Sequence, residues 1–361
     1  MQYHLILTEK CNLSCAYCGG TRHIEGLPLD PSYSIQELKT FILGDPEPVI
    51  GFYGGEPTLA LGLMEEVMDI IPAKAFTLQT NGTLLTEISD KNLHGLHSIL
   101  ISIDGGREVT DYNRGAGTYE DVLRNVRDVR SRGFEGDLVA RMAFSDHGDI
   151  YRDVIHLLQL SDPHFDHVHW QLDVFWSDLE QRPHVENWLE GYDEGIMRLI
   201  DHFHESLQEG VVPGMVPFIP LLKSLLTGEP TPHIRCGAGA TSFTIMTNGR
   251  IEACPIAPEL KFNHVSNLQT GNPMTLKNSI DMLSPCTECN YLWVCGGRCL
   301  FVNMTKFWGE ELFERVCHTT KSMIRGLEGI TPKVKALIEE GVINIDYFDY
   351  PEINNGCEII P

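Results

Sequence analysis

Short apolar runs alternate with helical patterns through the first half of the chain, and this alternation constrains the fold more than any other feature of the sequence. The apolar runs have the length and composition of buried strands, and helical periodicity separates one run from the next. A capping box formed by Ser34 and Glu37 opens the first helix. Because repeated strand and helix units form parallel sheets, the pattern predicts an α/β fold, either a partial (β/α)6 TIM-like barrel or an open layer. The six runs are HLILT, PVIGFY, AFTLQT, SILISID, LVARMAF and HVHWQLDVFW.

Polar or glycine-rich sequence follows the predicted strands at their carboxyl ends. The segments that follow the first five strands are CNLSC, GGEP, TNG, DGG and SDHG. Barrels of this class carry their chemistry at the carboxyl ends of the strands. The sequence therefore predicts an active site at that edge.

The charge balance of the chain limits its partners. The 361 residues carry 27 Lys and Arg against 50 Asp and Glu, which gives a formal net charge of −23. Such a charge repels nucleic-acid phosphates and anionic membranes. The longest apolar stretch, 211–226, contains three prolines and a lysine and is too short for a regular membrane-spanning helix. We therefore expect no nucleic-acid partner and no membrane segment. The polar residues Thr8, Glu9 and Lys10 end the first apolar run early, which excludes a secretory signal and predicts a cytoplasmic location.

Side chains alternate between two faces along each predicted strand, and some of these faces are polar. Ser102 and Asp104 share one face, and Arg141 lies on one face of a later strand as a candidate partner for an anion. The last strand carries four polar side chains on one face: His167, His169, Gln171 and Asp173. This face predicts either a substrate cavity or the solvated face of an edge strand. Zinc is disfavoured, because the histidines of this segment, including His164, lack a convincing fourth ligand.

The chain contains eleven cysteines, which fall into two groups and a single residue near the end. An intracellular chain keeps its thiols reduced, so this clustering indicates metal binding rather than disulfides. The first group is Cys11, Cys15 and Cys18. Thiolates bind [4Fe-4S] clusters, and three thiolates for four irons leave one iron open to a ligand. The spacing alone is also compatible with a zinc site or a ferredoxin-like electron carrier.

The sequence around these cysteines resembles that of the radical S-adenosylmethionine (SAM) enzymes. CNLSCAYC resembles the CxxxCxxC signature of that family, with the aromatic Tyr17 before the third cysteine. Three further family motifs stand at successive strand ends. They are GGEP (Gly54, Gly55, Glu56 and Pro57), TNG (Thr80, Asn81 and Gly82) and SxDG (Ser102, Ile103, Asp104 and Gly105). Each motif alone is also ordinary turn sequence, but their succession favours the family.

The resemblance implies a role for each motif. The open iron would be chelated by the amino and carboxylate groups of SAM, and Glu56 with the glycine backbone of Gly54 and Gly55 would face the ammonium group. The remaining expected contacts are Ser102 and Asp104 to the ribose hydroxyls, Arg141 to the methionine carboxylate and Tyr17 beside the adenine, with Asn81 also in the binding site. Arg141 has an alternative role, in which it neutralises Asp104 or Glu56.

The second group of cysteines resembles the seven-cysteine SPASM domain, the C-terminal module of radical enzymes that mature peptides and proteins. Its members are Cys236, Cys254, Cys286, Cys289, Cys295, Cys299 and Cys317. The resemblance implies two auxiliary [4Fe-4S] clusters, and therefore three clusters in all. One cluster would be held by Cys286, Cys289, Cys295 and Cys317, and the other by Cys236, Cys254 and Cys299.

The second auxiliary cluster lacks one ligand, because segment 228–235 contains no cysteine where fully ligated relatives have one. One hypothesis leaves an iron open to a substrate thiolate, which favours thioether chemistry. The competing hypothesis completes the cluster with Cys357 near the C-terminus, and His233 is a further candidate ligand.

Two departures from relatives narrow the substrate. Pro255 stands where sulfatase-maturing relatives have an aspartate, which disfavours sulfatase maturation. The first strand begins near Tyr3, so we expect any leader peptide to be recognised by the barrel, the tail or a separate protein.

These observations together predict a radical SAM enzyme that modifies a ribosomally made peptide or protein, with a thioether or another cross-link favoured. The resemblance implies that ferredoxin or flavodoxin reduces the clusters and that a 5′-deoxyadenosyl radical abstracts a substrate hydrogen. The alternatives are maturation of a peptide-derived redox cofactor and a non-catalytic electron carrier. The expected domains are a partial barrel at 1–182, a helical linker at 183–230, a SPASM domain at 231–320 and a C-terminal tail at 321–361.

Overall fold

The computed structural model describes residues 1–18, 26–174, 184–351 and 353. Its strands are β1 (Gln2–Thr8), β2 (Val49–Gly54), β3 (Ala75–Thr80), β4 (Leu96–Ser102), β5 (Asp137–Phe144), β6 (His167–Leu172), β7 (Ser242–Ile245), β8 (Arg250–Glu252) and β9 (His264–Asn267). Its helices are α1 (Ile35–Ile42), α2 (Leu61–Ile70), α3 (Asp90–Gly95), α4 (Arg107–Arg114), α5 (Thr118–Ser131), α6 (Ile150–Leu158), α7 (Val185–Gln208), α8 (Phe218–Thr227), α9 (Leu292–Cys295), α10 (Leu300–Thr305) and α11 (Gly309–Glu339). The six predicted strands therefore form, as β1 to β6.

The chain divides into two compact units, and each is described by itself. The first unit comprises Met1–Ile103, Thr110–Val139 and Gly237–Asp281, and the second comprises Asp104–Val109, Ala140–Cys236 and Met282–Pro361. These units group the chain by packing, whereas the domain boundaries expected from the sequence follow the cysteine pattern. Those boundaries stay a prediction.

The first unit is built on a largely parallel sheet with the strand order β4-β3-β2-β1-β7-β8-β9. β1 pairs in parallel with β2 on one side and with β7 on the other, while β7, β8 and β9 form antiparallel pairs. Parallel neighbours need a crossover connection, and α1, α2 and α3 supply it between the first four strands. The carboxyl ends of β1 to β4 consequently lie along one edge.

Buried aromatic and aliphatic side chains hold the helices onto this sheet. Tyr3 is fully buried, and the edge of its ring meets Phe41 of α1 at a centroid distance of 5.9 Å. The predicted capping box is confirmed at the start of α1, where Ser34 and Glu37 each bind the backbone of the other. Burial of apolar surface on both sides of a parallel sheet is the expected source of its stability.

The second unit contains the carboxyl half of β5, β6 and the long helices α7, α8 and α11. α11 packs against α7 and α8. Arg315 of α11 pairs with Glu186 at 2.9 Å and with Asp193 at 3.3 Å, both on α7. The predicted tail at 321–361 begins inside α11, a helix of 31 residues that the sequence analysis did not predict.

Among the helices of the described ranges, none combines the length and the apolar character that crossing a membrane requires.

Candidate functional site

The first cysteine group lies on the loop that follows β1. Cys11 and Cys18 are exposed and Cys15 is partly buried. Backbone hydrogen bonds shape the loop, because the Leu13 N–H donates to Cys11 Sγ at 3.4 Å and the Ala16 N–H donates to the carbonyl of Asn113 at 2.8 Å. The thiols are thus presented at the carboxyl end of a buried strand, as the sequence predicts.

The two glycines of GGEP are needed because their backbone lies directly against the segment that leads into the cysteine loop. A Cβ at Gly54 would lie 2.3 Å from the carbonyl oxygen of Thr8, and a Cβ at Gly55 would lie 2.3 Å from that of Lys10. The Gly55 N–H donates to Thr8 and the Glu56 N–H donates to Lys10, both at 2.8 Å. A side chain on either glycine would therefore displace the start of the cysteine loop.

Glu56 is fully buried, and its carboxylate joins GGEP to the TNG turn. One oxygen accepts from the Thr58 N–H at 3.0 Å and from the hydroxyls of Thr58 and Thr80 at 2.6 Å each. The other oxygen accepts from the Asn81 N–H at 2.7 Å. The sequence analysis did not predict this bridging role, and the expected contact of Glu56 with the SAM ammonium group stays a prediction.

Asn81 connects the TNG turn to the first cysteine. Its amide nitrogen donates to Asn12 Oδ1 at 2.8 Å and lies 3.9 Å from Cys11 Sγ. Its amide oxygen accepts from the backbone and hydroxyl of Thr83 at 3.0 and 2.7 Å. Hydrogen bonds to ligating sulfurs orient cluster ligands and tune their potential, so Asn81 is suited to that task.

Tyr17 has a cationic neighbour that the sequence analysis missed. The guanidinium of Arg114 lies 5.4 Å from the centre of the Tyr17 ring, and Arg114 is buried. Such a contact holds an aromatic ring in a fixed orientation. The spacing between Arg114 and the SxDG motif in the sequence does not indicate that Arg114 lies beside Tyr17.

The SxDG motif begins at the last residue of β4 and ends before the start of α4. Ser102 is partly exposed at the end of β4. Asp104 is buried and accepts from the Ala143 N–H at 2.9 Å. Gly105 has a φ of +124°, and a Cβ there would lie 2.5 Å from Cβ of Asp153. The expected contacts of Ser102 and Asp104 with a ribose stay predictions.

Arg141 on β5 is buried and donates to His169 Nε2 at 2.9 Å and to the amide oxygen of Gln171. His169 is fully buried and Asp173 is nearly so. The alternative of a solvated face is therefore wrong for these two residues of the last predicted strand. The side chains of His169 and Gln171 on β6 instead form a polar interior surface with Arg141.

Four cysteines of the second group line a single cavity in the second unit. Arg298, Phe313 and Tyr291 are among the other residues of the cavity wall. The cysteines are Cys286, Cys289, Cys295 and Cys317. These are the four that the resemblance assigns to one auxiliary cluster.

Burial favours the protonated form of two thiols of this cavity, those of Cys286 and Cys295. Burial raises the pKa of Cys295 to about 11, and burial also raises the pKa of Cys286. The backbone N–H of Tyr291 lies 3.4 Å from Cys289 Sγ and can donate to it. Ligation by thiolates therefore requires the release of protons on cluster binding. Four thiols around one cavity that also holds a buried guanidinium fit an anionic iron-sulfur cluster.

No three His, Cys, Asp or Glu side chains within the described ranges are gathered closely enough to hold a single metal ion.

The remaining cysteines of the second group are placed as follows. Cys236 is partly buried, Cys254 is buried and Cys299 is buried. Cys254 belongs to the first unit, and Cys236 and Cys299 belong to the second. The cluster that these three cysteines are expected to share stays a prediction. Of the two further candidate ligands, His233 places its Nδ1 atom 2.7 Å from the carbonyl of Ile234. The other, Cys357, lies outside the described residues.

Comparison with known proteins agrees with this arrangement. Residues 5–160 match the profile of the Radical SAM superfamily. The mycofactocin maturase MftC of Mycolicibacterium smegmatis is 25% identical over 326 residues, which cover 81% of this chain and 76% of MftC.

Two solved structures share the fold. Native anSMEcpe with bound AdoMet and Cp18Cys peptide aligns with a TM-score of 0.71 at 19% identity, covering 94% of this chain and 99% of that chain. SuiB of Streptococcus suis bound to the precursor peptide SuiA aligns with a TM-score of 0.59 at 16% identity, covering 84% of this chain and 72% of that chain. The predicted α/β fold with a cysteine-rich C-terminal part is confirmed. The matched segment 5–160, with its cysteine loop and its GGEP and TNG motifs, is a radical SAM domain, and this chain is an enzyme that carries that domain.

Proposed function

We propose that this enzyme modifies a ribosomally made peptide or protein, with a thioether or another cross-link as the favoured product. The observation that carries the proposal is the cavity lined by Cys286, Cys289, Cys295 and Cys317, which provides a complete ligand set for a cluster beyond the one that cleaves SAM. A second set of thiol ligands is not needed for SAM cleavage itself. It is suited to a reaction in which the substrate must also lose or gain an electron.

The names of similar proteins support a peptide substrate. MftC is a maturase, and the anSMEcpe and SuiB structures each contain a bound peptide. The polar interior surface formed by Arg141, His169 and Gln171 offers hydrogen-bonding groups of the kind that a peptide or the carboxylate of SAM requires.

The proposed cofactors are SAM and three [4Fe-4S] clusters. Cys11, Cys15 and Cys18 would hold the cluster that, when reduced, would supply the electron for SAM cleavage. Asn81 and Asn12 hold the loop of these thiols against the TNG turn. Tyr17, Gly54, Gly55, Glu56, Ser102, Asp104 and Arg141 are proposed to line the SAM site.

The proposed auxiliary ligands are the four cavity cysteines for one cluster and Cys236, Cys254 and Cys299 for the other. An iron left open by the three-cysteine set would accept a substrate thiolate, which favours thioether formation. Ferredoxin or flavodoxin is the proposed electron donor, and the reducing environment that such clusters need agrees with a cytoplasmic location.

Maturation of a peptide-derived redox cofactor is the second candidate. It is favoured by one observation, the similarity to mycofactocin maturase over 81% of this chain. Both candidates begin with hydrogen abstraction from a peptide, and they differ in the product.

The test uses anaerobically reconstituted enzyme with dithionite, SAM and a short cysteine-containing peptide encoded beside its gene. We expect mass spectrometry to detect a peptide lighter by two hydrogen atoms for each cross-link, with fragmentation locating a thioether at a cysteine. Loss of a larger fragment from the peptide would favour cofactor maturation instead. An unchanged peptide, in the presence of 5′-deoxyadenosine formation, would argue against the peptide as substrate.

A further inference from the structure

Arg298 is a buried cation inside the cavity of the four cysteines. Only 4% of Arg298 is exposed, and its side chain forms part of the cavity wall. Its Nη2 atom is buried and has no hydrogen-bond partner within the part of the chain that the structure describes. A guanidinium normally donates from all of its nitrogens when it is buried. Arg298, which lines the cavity, therefore keeps a buried donor that the described residues do not satisfy.

The residues around Arg298 stabilise a positive charge without neutralising it. The guanidinium carbon lies 5.1 Å from the centre of the Phe313 ring and 5.8 Å from that of the Trp308 ring. Trp308 is itself held by a hydrogen bond from its indole nitrogen to the carbonyl of Val174 at 2.6 Å. Aromatic faces attract cations but accept no strong hydrogen bond. Within the described residues no carboxylate pairs with Arg298, so the charge lacks an anion.

The backbone at Arg298 is left-handed, a conformation that residues other than glycine seldom adopt. Arg298 has a φ of 59°, a left-handed conformation that favours glycine. The two residues before it, Gly296 and Gly297, also have positive φ values and are glycines.

We propose that Arg298 is a positioning residue for the auxiliary cluster held by Cys286, Cys289, Cys295 and Cys317, donating a hydrogen bond to a cluster sulfur and raising the reduction potential of the cluster. The inference rests on the proposed auxiliary cluster. A buried positive charge and a hydrogen bond to sulfur both stabilise the more negative, reduced state. Arg298 thereby favours the acceptance of an electron by this cluster.

The test compares Arg298→Gly with Lys306→Gly in the full chain. Both substitutions remove a positive charge and place glycine on left-handed backbone, since Lys306 has a φ of 45°. Lys306 lies outside the cavity and pairs with Glu310 at 2.7 Å, so it is a matched control. Each change is made alone and together with alanine at Cys11, Cys15 and Cys18, which removes the signal of the SAM-cleaving cluster.

The readouts are iron content and a redox titration followed by electron paramagnetic resonance. We expect Arg298→Gly to lower the ratio of reduced to oxidised auxiliary cluster about tenfold at a fixed potential, which is about 59 mV for a one-electron couple. Lys306→Gly should leave the ratio unchanged. Arg298→Lys, which keeps the charge, should recover part of the loss.

Other outcomes also decide the proposal. If Arg298→Gly prevents the cluster from assembling and Arg298→Lys restores the iron, the role of the charge is supported. If Arg298→Gly and Arg298→Lys lose iron equally, the side chain serves packing alone and the proposal is wrong. A ratio within twofold of the wild type at full iron content would also overturn it. If the protein with alanine at Cys11, Cys15 and Cys18 holds no iron at all, the proposed auxiliary clusters fail and this inference fails with them.

Discussion

At the scale of single residues, Glu56 has more structural importance than its place in a turn motif indicates. Its buried carboxylate accepts hydrogen bonds from Thr58, Thr80 and Asn81. Removing a buried acceptor leaves its donors unsatisfied, and each such donor costs about 1 to 3 kcal/mol. The residue therefore stabilises the junction between the GGEP and TNG segments.

We expect Glu56→Ala to lower the free energy of unfolding by about 3 kcal/mol, because several buried donors lose one acceptor. Glu56→Gln keeps one carbonyl oxygen and should cost less. Urea unfolding of the apoprotein measures both. The control is Glu47→Ala, which removes an exposed carboxylate paired with Lys74 at 3.4 Å and should cost less than about 1 kcal/mol. Equal effects of Glu56→Ala and Glu47→Ala would contradict the bridging role.

The interior face of β1 carries a histidine that burial keeps neutral. His4 lies 3.0 Å from the Ser242 hydroxyl, and burial lowers its pKa from 6.5 to about 4. In the unfolded chain the same imidazole binds a proton at its ordinary pKa. The folded state is consequently penalised when the pH falls through the interval between these two values.

We expect acidification from about pH 6.5 to pH 4 to lower the stability of the wild type by about 3 kcal/mol more than that of His4→Gln. Above pH 6.5 the imidazole is neutral in both the folded and the unfolded chain. The pH-dependent difference in stability between the wild type and His4→Gln should therefore vanish there. Urea unfolding at a series of pH values measures the difference. His97→Gln, at an exposed position of β4, should follow the wild type. If the free energy of unfolding of His4→Gln falls with pH as much as that of the wild type, His4 is not responsible for the acid sensitivity.

At the scale of elements, the end of β2 lies so close to the chain after β1 that only glycine fits. A Cβ at Gly55 would meet the carbonyl oxygens of both Lys10 and Glu9, at 2.3 and 2.7 Å. These are backbone atoms, which cannot rotate away as a side chain can. The position of the cysteine loop thus depends on the absence of a side chain from a neighbouring strand.

We expect Gly55→Ala to cost about 1 to 3 kcal/mol, because overpacking against backbone shifts the loop. The same change should reduce the iron bound by Cys11, Cys15 and Cys18. Gly62→Ala is the control, since a Cβ at Gly62 in α2 meets nothing within 4 Å. It should stabilise the protein by about 0.5 to 1 kcal/mol through helix propensity. Similar stability of Gly55→Ala and wild type would show that the loop accommodates a methyl group.

At the scale of the whole molecule, the two sets of cysteines should be separable in function. The loop after β1 carries Cys11, Cys15 and Cys18, whereas Cys286, Cys289, Cys295 and Cys317 surround a cavity in the second unit. Each set has its own supporting side chains.

We expect alanine at Cys11, Cys15 and Cys18 to abolish 5′-deoxyadenosine formation from SAM while auxiliary iron remains. The variant matched to it carries alanine at Cys286 and Cys289. It should lose the iron of the cavity but still form 5′-deoxyadenosine without substrate. Chromatography of the nucleoside product and iron analysis measure both effects. Equal turnover in the triple variant and the wild type would overturn the assignment of the first three cysteines.

The strands and helices that the sequence predicts are those with a strong local pattern. HLILT and SILISID become β1 and β4 with small changes at their ends, and Ser34 caps α1 as its capping box predicts. The short strands β7, β8 and β9 were missed because segments of three or four residues show no periodicity. α11 was missed because its charged residues obscure the apolar stripe that packs on α7 and α8.

The sequence by itself determined the radical SAM domain and predicted which thiols are ligands, because cysteine spacing and strand periodicity are properties of neighbouring residues. Only the tertiary structure decided that Glu56 bridges two loops, that Gly55 lies against Lys10 and that Arg298 enters the cavity of four cysteines. Each of these depends on the distance between side chains or backbone atoms that the fold brings together. Hydrogen bonds, close contacts and buried charge act over a few ångströms of space, and the order of residues along the chain does not specify those distances.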